Sequence, residues 1–185
     1  MLTQTVIYRL DDINSTNEAL WIVFDLDIPS TPTITDLVKH FSSLMTLLRK
    51  CRMNASMTIQ IYSQLFASIN VWLFNRIVCR TELALCSYGC AEKILLRLRI
   101  LNRWAQTQGL EVIFDSHLAK VHQLCSLLLS PKRDVIDAQP FMFDKSWKLN
   151  SLQIRHVLNN YISAQNEPSI SQNFAKVSVS DFLIN

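Results

Sequence analysis

Glycine is almost missing: the 185 residues contain two, Gly89 and Gly109. Sheet-rich folds with many tight turns need glycine at positive φ, and phosphate-cradling loops need it for close backbone approach, so both are disfavoured. Long uninterrupted apolar runs are missing too. The most apolar stretch, LLRKCRMNASMTIQIYSQLFASINVWLFNRIV over 47–78, is punctuated by Gln60, Gln64, Asn70, Asn75 and Arg76. A membrane helix requires roughly 18 or more apolar residues in succession, so no membrane span is expected. The opening MLTQTVIYRLDD has no basic region leading into an apolar core, and a signal peptide is not expected either.

Charge is sparse, at 18% of residues with a net +3. The bases are scattered as Arg49, Lys50 and Arg52, then Lys93, Arg97, Arg99 and Arg103, then Lys132 and Arg133. They form no aromatic-interleaved stripe of the kind that tracks nucleic acid, so they read as solvated helix faces and no nucleic-acid partner is expected.

Catalytic signatures are absent. There is no Gly-x-Ser-x-Gly elbow, no Cys-His signature and no H-E-x-x-H. His40, His117, His122 and His156 fall in helical patterns without a fixed acidic neighbour, and Asp25 and Asp27 read as a solvated helix end rather than a carboxylate dyad. No catalytic residue and no cofactor is expected. The five cysteines (Cys51, Cys79, Cys86, Cys90, Cys125) are odd in number and sit among apolar or helical residues, which suggests buried reduced thiols in the cytosol. Cys86 and Cys90 are four apart and suit one helix face. The nearest histidines, His117 and His122, are distant and five apart, so no metal site is expected.

What is present favours helix. Hydrophobic residues make up 49%, and Leu, Ile, Met, Gln, Arg and Ala are abundant. Ser15 with Glu18 suggests a capping box for a short helix over 16–26, ended by a corner at Pro29 and Pro32. A helix is expected from Thr35–Asp36, with Thr35 as its N-cap and Leu37, Val38, Phe41, Leu44, Met45 and Leu48 at helical spacing. Asn54 breaks it and caps the next. From Ala55 to Cys79 the pattern predicts a helix about 36 Å long. Tyr62, Leu65, Phe66, Ile69, Trp72 and Leu73 form one face, while Met57, Ile61, Val71, Phe74 and Val78 cover much of the rest. Apolar nearly all round, it belongs at the centre of a multi-helix bundle. Its polar residues are then expected to fix register between buried helices. Further helices are expected over 88–108, with an Ile94, Leu95, Leu98, Leu101 and Trp104 stripe and Gly109 just past its end; over 115–129, stopped by Pro131; and from Asn150 or Ser151 through KLNSLQIRHVLNNYI. A last turn is expected at SDFLI.

The stretch over 47–78, followed by LCS, WAQTQGLE, KLNSLQIRHVLNNY and NEPSI, resembles the dilute (DIL) domain over residues 35–172, in the wording of the afadin-like junctional scaffolds. Met53, Met57, Ser56 and Tyr62 depart conservatively from the usual pattern, and 130–145 and the tail match poorly. The resemblance implies an all-α DIL bundle over 34–172, preceded by an N-terminal helix and linker over 1–33 and followed by a tail over 173–185. It implies a non-enzymatic scaffold or adaptor domain in the cytoplasm at adherens junctions. Its partners would be junctional or cytoskeleton-linked proteins, coiled-coil segments among them. The alternative it leaves is the cargo-binding tail of a class V myosin-type motor. Ras-association, forkhead-associated and PDZ modules of the larger scaffolds have no counterpart here, so a fragment or short isoform is expected. Arg97, Arg99 and Arg103, beside an apolar stripe on the 88–108 helix, are the expected partner-binding residues.

Overall fold

The computed structural model describes residues 33–79, 83–131 and 148–163. Among these, five helices account for nearly all regular structure: α1 Ile34–Lys50, α2 Ala55–Cys79, α3 Tyr88–Gln108, α4 Glu111–Leu129 and α5 Ser151–Asn159. No strand forms among the described residues beyond an isolated parallel bridge between Ser87 and Ile162. The fold is all-α, as expected. The helix over 16–26, the proline corner, the turn at SDFLI and the tail lie outside the described residues.

The helix boundaries follow local chemistry. The cap of α1 is Thr33, two residues before the expected Thr35. The Asp36 carboxylate accepts hydrogen bonds from the Thr33 backbone N–H at 2.9 Å and from its hydroxyl at 2.8 Å, which the pattern of apolar residues alone does not reveal. These bonds, led by the backbone one and joined by Lys39, hold the Asp36 carboxyl down at about 2. Asn54 does start α2, its side-chain oxygen accepting from the Ser56 N–H. Ser87 opens α3, accepting from the Cys90 N–H through its hydroxyl. Gly109, at φ 71, ends α3 in a Schellman motif: its own N–H reaches the Gln106 carbonyl and the Leu110 N–H reaches that of Ala105. Leu110 then accepts from Phe114, so α4 begins at Glu111, a full turn before the expected 115. Asn150, one of the two expected caps, heads α5 in a reciprocal pair with Gln153.

The described residues fall into two compact units, 33–68 with 96–117, and 69–79 and 83–95 with 118–131 and 148–163. The core of the first is aromatic. Phe41 of α1 meets Tyr62 edge-on at 5.8 Å, Phe66 at 6.1 Å and Trp104 at 5.4 Å, while Phe66 stands edge-on to Phe114 at 5.2 Å. Tyr62 and Phe66 are fully buried, and so is Phe114. A buried phenol needs a partner, and Tyr62 donates to the Phe41 carbonyl at 2.7 Å. The Trp104 ring N–H donates to the Ser42 hydroxyl at 2.9 Å. Phe41 thus faces residues as far beyond the α1–α2 turn as it lies before it, and the two helices fold back as a hairpin.

In the second unit Leu73, Phe74, Ile77 and Val78 of α2 join Ile94, Leu118, Leu124 and Leu128 in the interior. Asn70 sends its side-chain oxygen to the Val121 N–H of α4 at 3.1 Å. His156 of α5 bonds the Val78 carbonyl at 2.9 Å through Nε2, which donates. The Ile162 N–H bonds the Cys86 carbonyl at 2.8 Å.

Burial along α2 differs from the expectation in one respect. Tyr62, Phe66, Ile69 and Leu73 are buried, but Leu65 and Trp72 are half-buried and Val71 is 55% exposed. Gln60, Gln64 and Asn75 face solvent rather than fixing core register; of the flagged polar residues, Asn70 takes that role. Gln60 and Gln64 are one turn apart, as are Val71 and Asn75, and each pair lies along one line of the helix. A single valine among glutamines and asparagines is tolerated at a solvent face.

Phe66→Ala is therefore expected to cost about 3–5 kcal/mol, the usual range for a fully packed phenylalanine. Trp72→Ala is expected to cost visibly less, because the indole is only half-buried. Urea unfolding midpoints of the two variants check the order, and a larger loss at Trp72 would contradict it.

Candidate protein-docking surface

The structure does not bring the three expected arginines together. On α3, Arg99 and Arg103 are one turn apart and both exposed, whereas Arg97 is half-buried. At about 100° per residue, Arg97 sits on nearly the opposite side of the helix from Arg99. Its Nε is buried without a hydrogen-bond partner, so it is held in the packed side of the helix, not offered to a partner.

What joins Arg99 and Arg103 instead is apolar. Leu96 is 48% exposed and Ile100 42% exposed. Leu96, Arg99, Ile100 and Arg103 occupy positions i, i+3, i+4 and i+7, one continuous line down the helix in the first unit. The opposite side of α3 carries Leu98, Leu101, Trp104 and Ala105, all buried. The buried stripe follows from the residue pattern, but the exposure of Leu96 and Ile100 does not, because LLRLRILNR is apolar on two sides. The legible signal was the four-residue spacing that Leu96–Ile100 shares with Arg99–Arg103.

This line offers two kinds of contact. Two aliphatic side chains supply area to remove from water, and two guanidiniums supply fixed donors for carboxylates. Beside it the Asn102 amide approaches Asp115 of α4 at 3.5 Å, at the outer limit of a hydrogen bond.

The cysteines divide by exposure, correcting the expectation of uniformly buried thiols. All five are free; Cys86 and Cys125 are buried, Cys90 is half-buried, and Cys51 and Cys79 are exposed. Cys51 caps the end of α1, and Cys79 follows Val71 and Asn75 on the solvent line of α2. Cys86 precedes α3 instead of sharing a helix face with Cys90, and its thiol donates to the Ile77 carbonyl at 3.5 Å. Burial pushes its pKa up to about 11 and that of Cys125 further. Among the described residues no three His, Cys, Asp or Glu side chains gather as metal ligands. No helix among them is long and apolar enough to cross a membrane.

Residues 60–165, more than half of the sequence, match the family model of the DIL domain. The chain belongs to the DIL-domain family. The DIL match covers the greater part of α2 and all of α3, α4 and α5, including the Leu96–Arg103 line. Among solved structures, the DIL chain is similar in fold to Myo2-GTD in complex with Smy1, with a TM-score of 0.73 at 16% identity. The likeness covers 88% of this chain and 43% of that one, so the chain spans less than half the length of its structural neighbour.

A thiolate is the reactive form of cysteine, so iodoacetamide at neutral pH is expected to label Cys51 and Cys79 of the native protein first. Cys86 and Cys125 are expected to resist until denaturant is added. Peptide mass mapping over time reads the order, and native labelling of Cys125 as fast as Cys51 would contradict the packing of α4.

Proposed function

We propose that this chain is a non-enzymatic protein-interaction domain that docks an amphipathic helical or coiled-coil segment along Leu96, Arg99, Ile100 and Arg103. Membership of the DIL family supports the interaction reading, as does fold likeness to a protein solved in complex with a protein partner. The observation that carries the site is the exposed i, i+3, i+4, i+7 line itself. That spacing is the one by which two helices read each other, with aliphatic anchors flanked by charge. The guanidiniums select a segment bearing Asp or Glu beside its own apolar face. Of the three arginines first expected to bind, Arg99 and Arg103 remain in this role and Arg97 is withdrawn on its burial.

The afadin-like wording of the sequence supports placing such a domain in a junctional scaffold, in the cytoplasm at adherens junctions. The fold likeness to Myo2-GTD equally favours a second reading, a cargo-binding tail of the class V myosin type. The two differ in their partners: junctional proteins in the first, motor cargo adaptors in the second.

Affinity capture from epithelial extract with the wild-type chain and with Arg99→Glu/Arg103→Glu tests both. Circular dichroism first shows that the variant is folded. The expected result is a set of partners whose binding falls roughly tenfold or more on charge reversal and whose residual binding loses its salt sensitivity. The identity of that set chooses between scaffold and motor tail. Unaltered binding with unaltered salt dependence would remove the α3 line from the interface.

A further inference from the structure

A second surface lies at the end of the first unit, where α1 turns into α2. From Arg49 to Met57 every residue is exposed. The stretch carries Arg49, Lys50 and Arg52 and contains no acidic residue. Leu47 is 50% exposed, Met53 36% and Met57 47%, so apolar side chains stand among the bases.

The backbone of this turn is strained. The Arg52 N–H bonds the Arg49 carbonyl at 3.0 Å and the Met53 N–H bonds that of Leu48 at 2.9 Å. This is the same Schellman pattern that ends α3, where Gly109 takes the left-handed position. At the end of α1 that position is held by Arg52, at φ 51. A glycine would adopt this conformation without steric cost, and an arginine does not. The strain places a long cationic side chain at the tip of the hairpin, and such local strain is a pointer to function.

The turn ending α3 lies at the same end, since Arg49 donates to the Gln108 side-chain oxygen at 3.0 Å. It adds Val112, 74% exposed, and one carboxylate, Glu111.

We propose that this corner docks on an anionic lipid bilayer. The hairpin turn offers charge of one sign interleaved with exposed apolar side chains. A bilayer is the surface that this chemistry fits: Leu47, Met53 and Met57 enter the headgroup region while Arg49, Lys50 and Arg52 remain at the phosphates. The bases balance negative headgroups, and each contributes about a fivefold factor to partitioning near an anionic surface. The attachment is peripheral and reversible, and it leaves the Leu96–Arg103 line for a protein.

Sedimentation of the full 185-residue chain with phosphatidylcholine vesicles, with and without phosphatidylserine, tests the proposal. The wild type is expected to bind only the phosphatidylserine vesicles and to be released by salt. Lys50→Gln/Arg52→Gln is expected to lower partitioning by about twenty-five-fold, two such factors multiplied. Lys39→Gln/Arg155→Gln removes the same charge from exposed sites elsewhere and is expected to bind as the wild type does. Arg52→Gly separates docking from stability. It is expected to raise the thermal unfolding midpoint by relieving the strained turn, yet lower vesicle partitioning by about fivefold. Three results would overturn the proposal: no preference of the wild type for phosphatidylserine, equal losses in the two double variants, or wild-type vesicle binding by Arg52→Gly. So would capture of an acidic helical peptide by the wild type, lost in Lys50→Gln/Arg52→Gln, without vesicle binding, since that assigns the corner to a protein.

Discussion

The hydroxyl of Tyr62 has one acceptor within its buried surroundings, the backbone carbonyl of Phe41, and that bond sets the geometry of the first unit. A phenol sealed away from water without a partner costs more than the hydrogen bond returns, so α1 and α2 are held in the register that lets the bond form. Phe41, Phe66 and Trp104 pack around it, and Phe114 extends the cluster to α4. The Trp104 ring N–H, satisfied by Ser42, then fixes how α3 lies against α1. Once α3 presents Leu98, Leu101 and Trp104 to that cluster, helix periodicity leaves Leu96, Arg99, Ile100 and Arg103 outside. The exposed line is a consequence of the aromatic core.

The second unit uses polar groups for the same purpose. Asn70 ties α2 to α4 through the Val121 N–H, and His156 ties α5 to α2 through the Val78 carbonyl. These bonds act among aliphatic residues, where dispersion alone tolerates sliding and a directed bond does not. Asn70 thus behaves as the buried reading of that helix required.

Much of this was legible in the residues. Scarcity of glycine, helical spacing of Leu and Phe, Asn150 and Gly109 at helix ends, and the DIL-like order of motifs together fixed an all-α fold and its helices. Exposure was harder to read. LLRLRILNR and SINVWLFNRIV are apolar on more than one side, and sequence periodicity does not say which side meets the core. Hence Trp72 was expected to be buried, Cys51 and Cys79 were grouped with the buried thiols, and Arg97 was grouped with Arg99. The strained cap at Arg52 was invisible for a different reason. A Schellman motif announces itself by glycine, and here the left-handed residue is arginine.

The aromatic cluster is expected to be the most firmly held part of the first unit, and hydrogen exchange of the full chain measures that directly. Amides from Tyr62 to Phe66 and from Leu98 to Ala105 are expected to exchange more slowly than any others in 33–68 and 96–117. Tyr62→Phe, which removes the hydroxyl and keeps the ring, is expected to speed exchange in α1 around Phe41 as well as in α2. Protection at Tyr62–Phe66 no greater than at Ala55–Met57, or a Tyr62→Phe variant with unchanged exchange in α1, would contradict it.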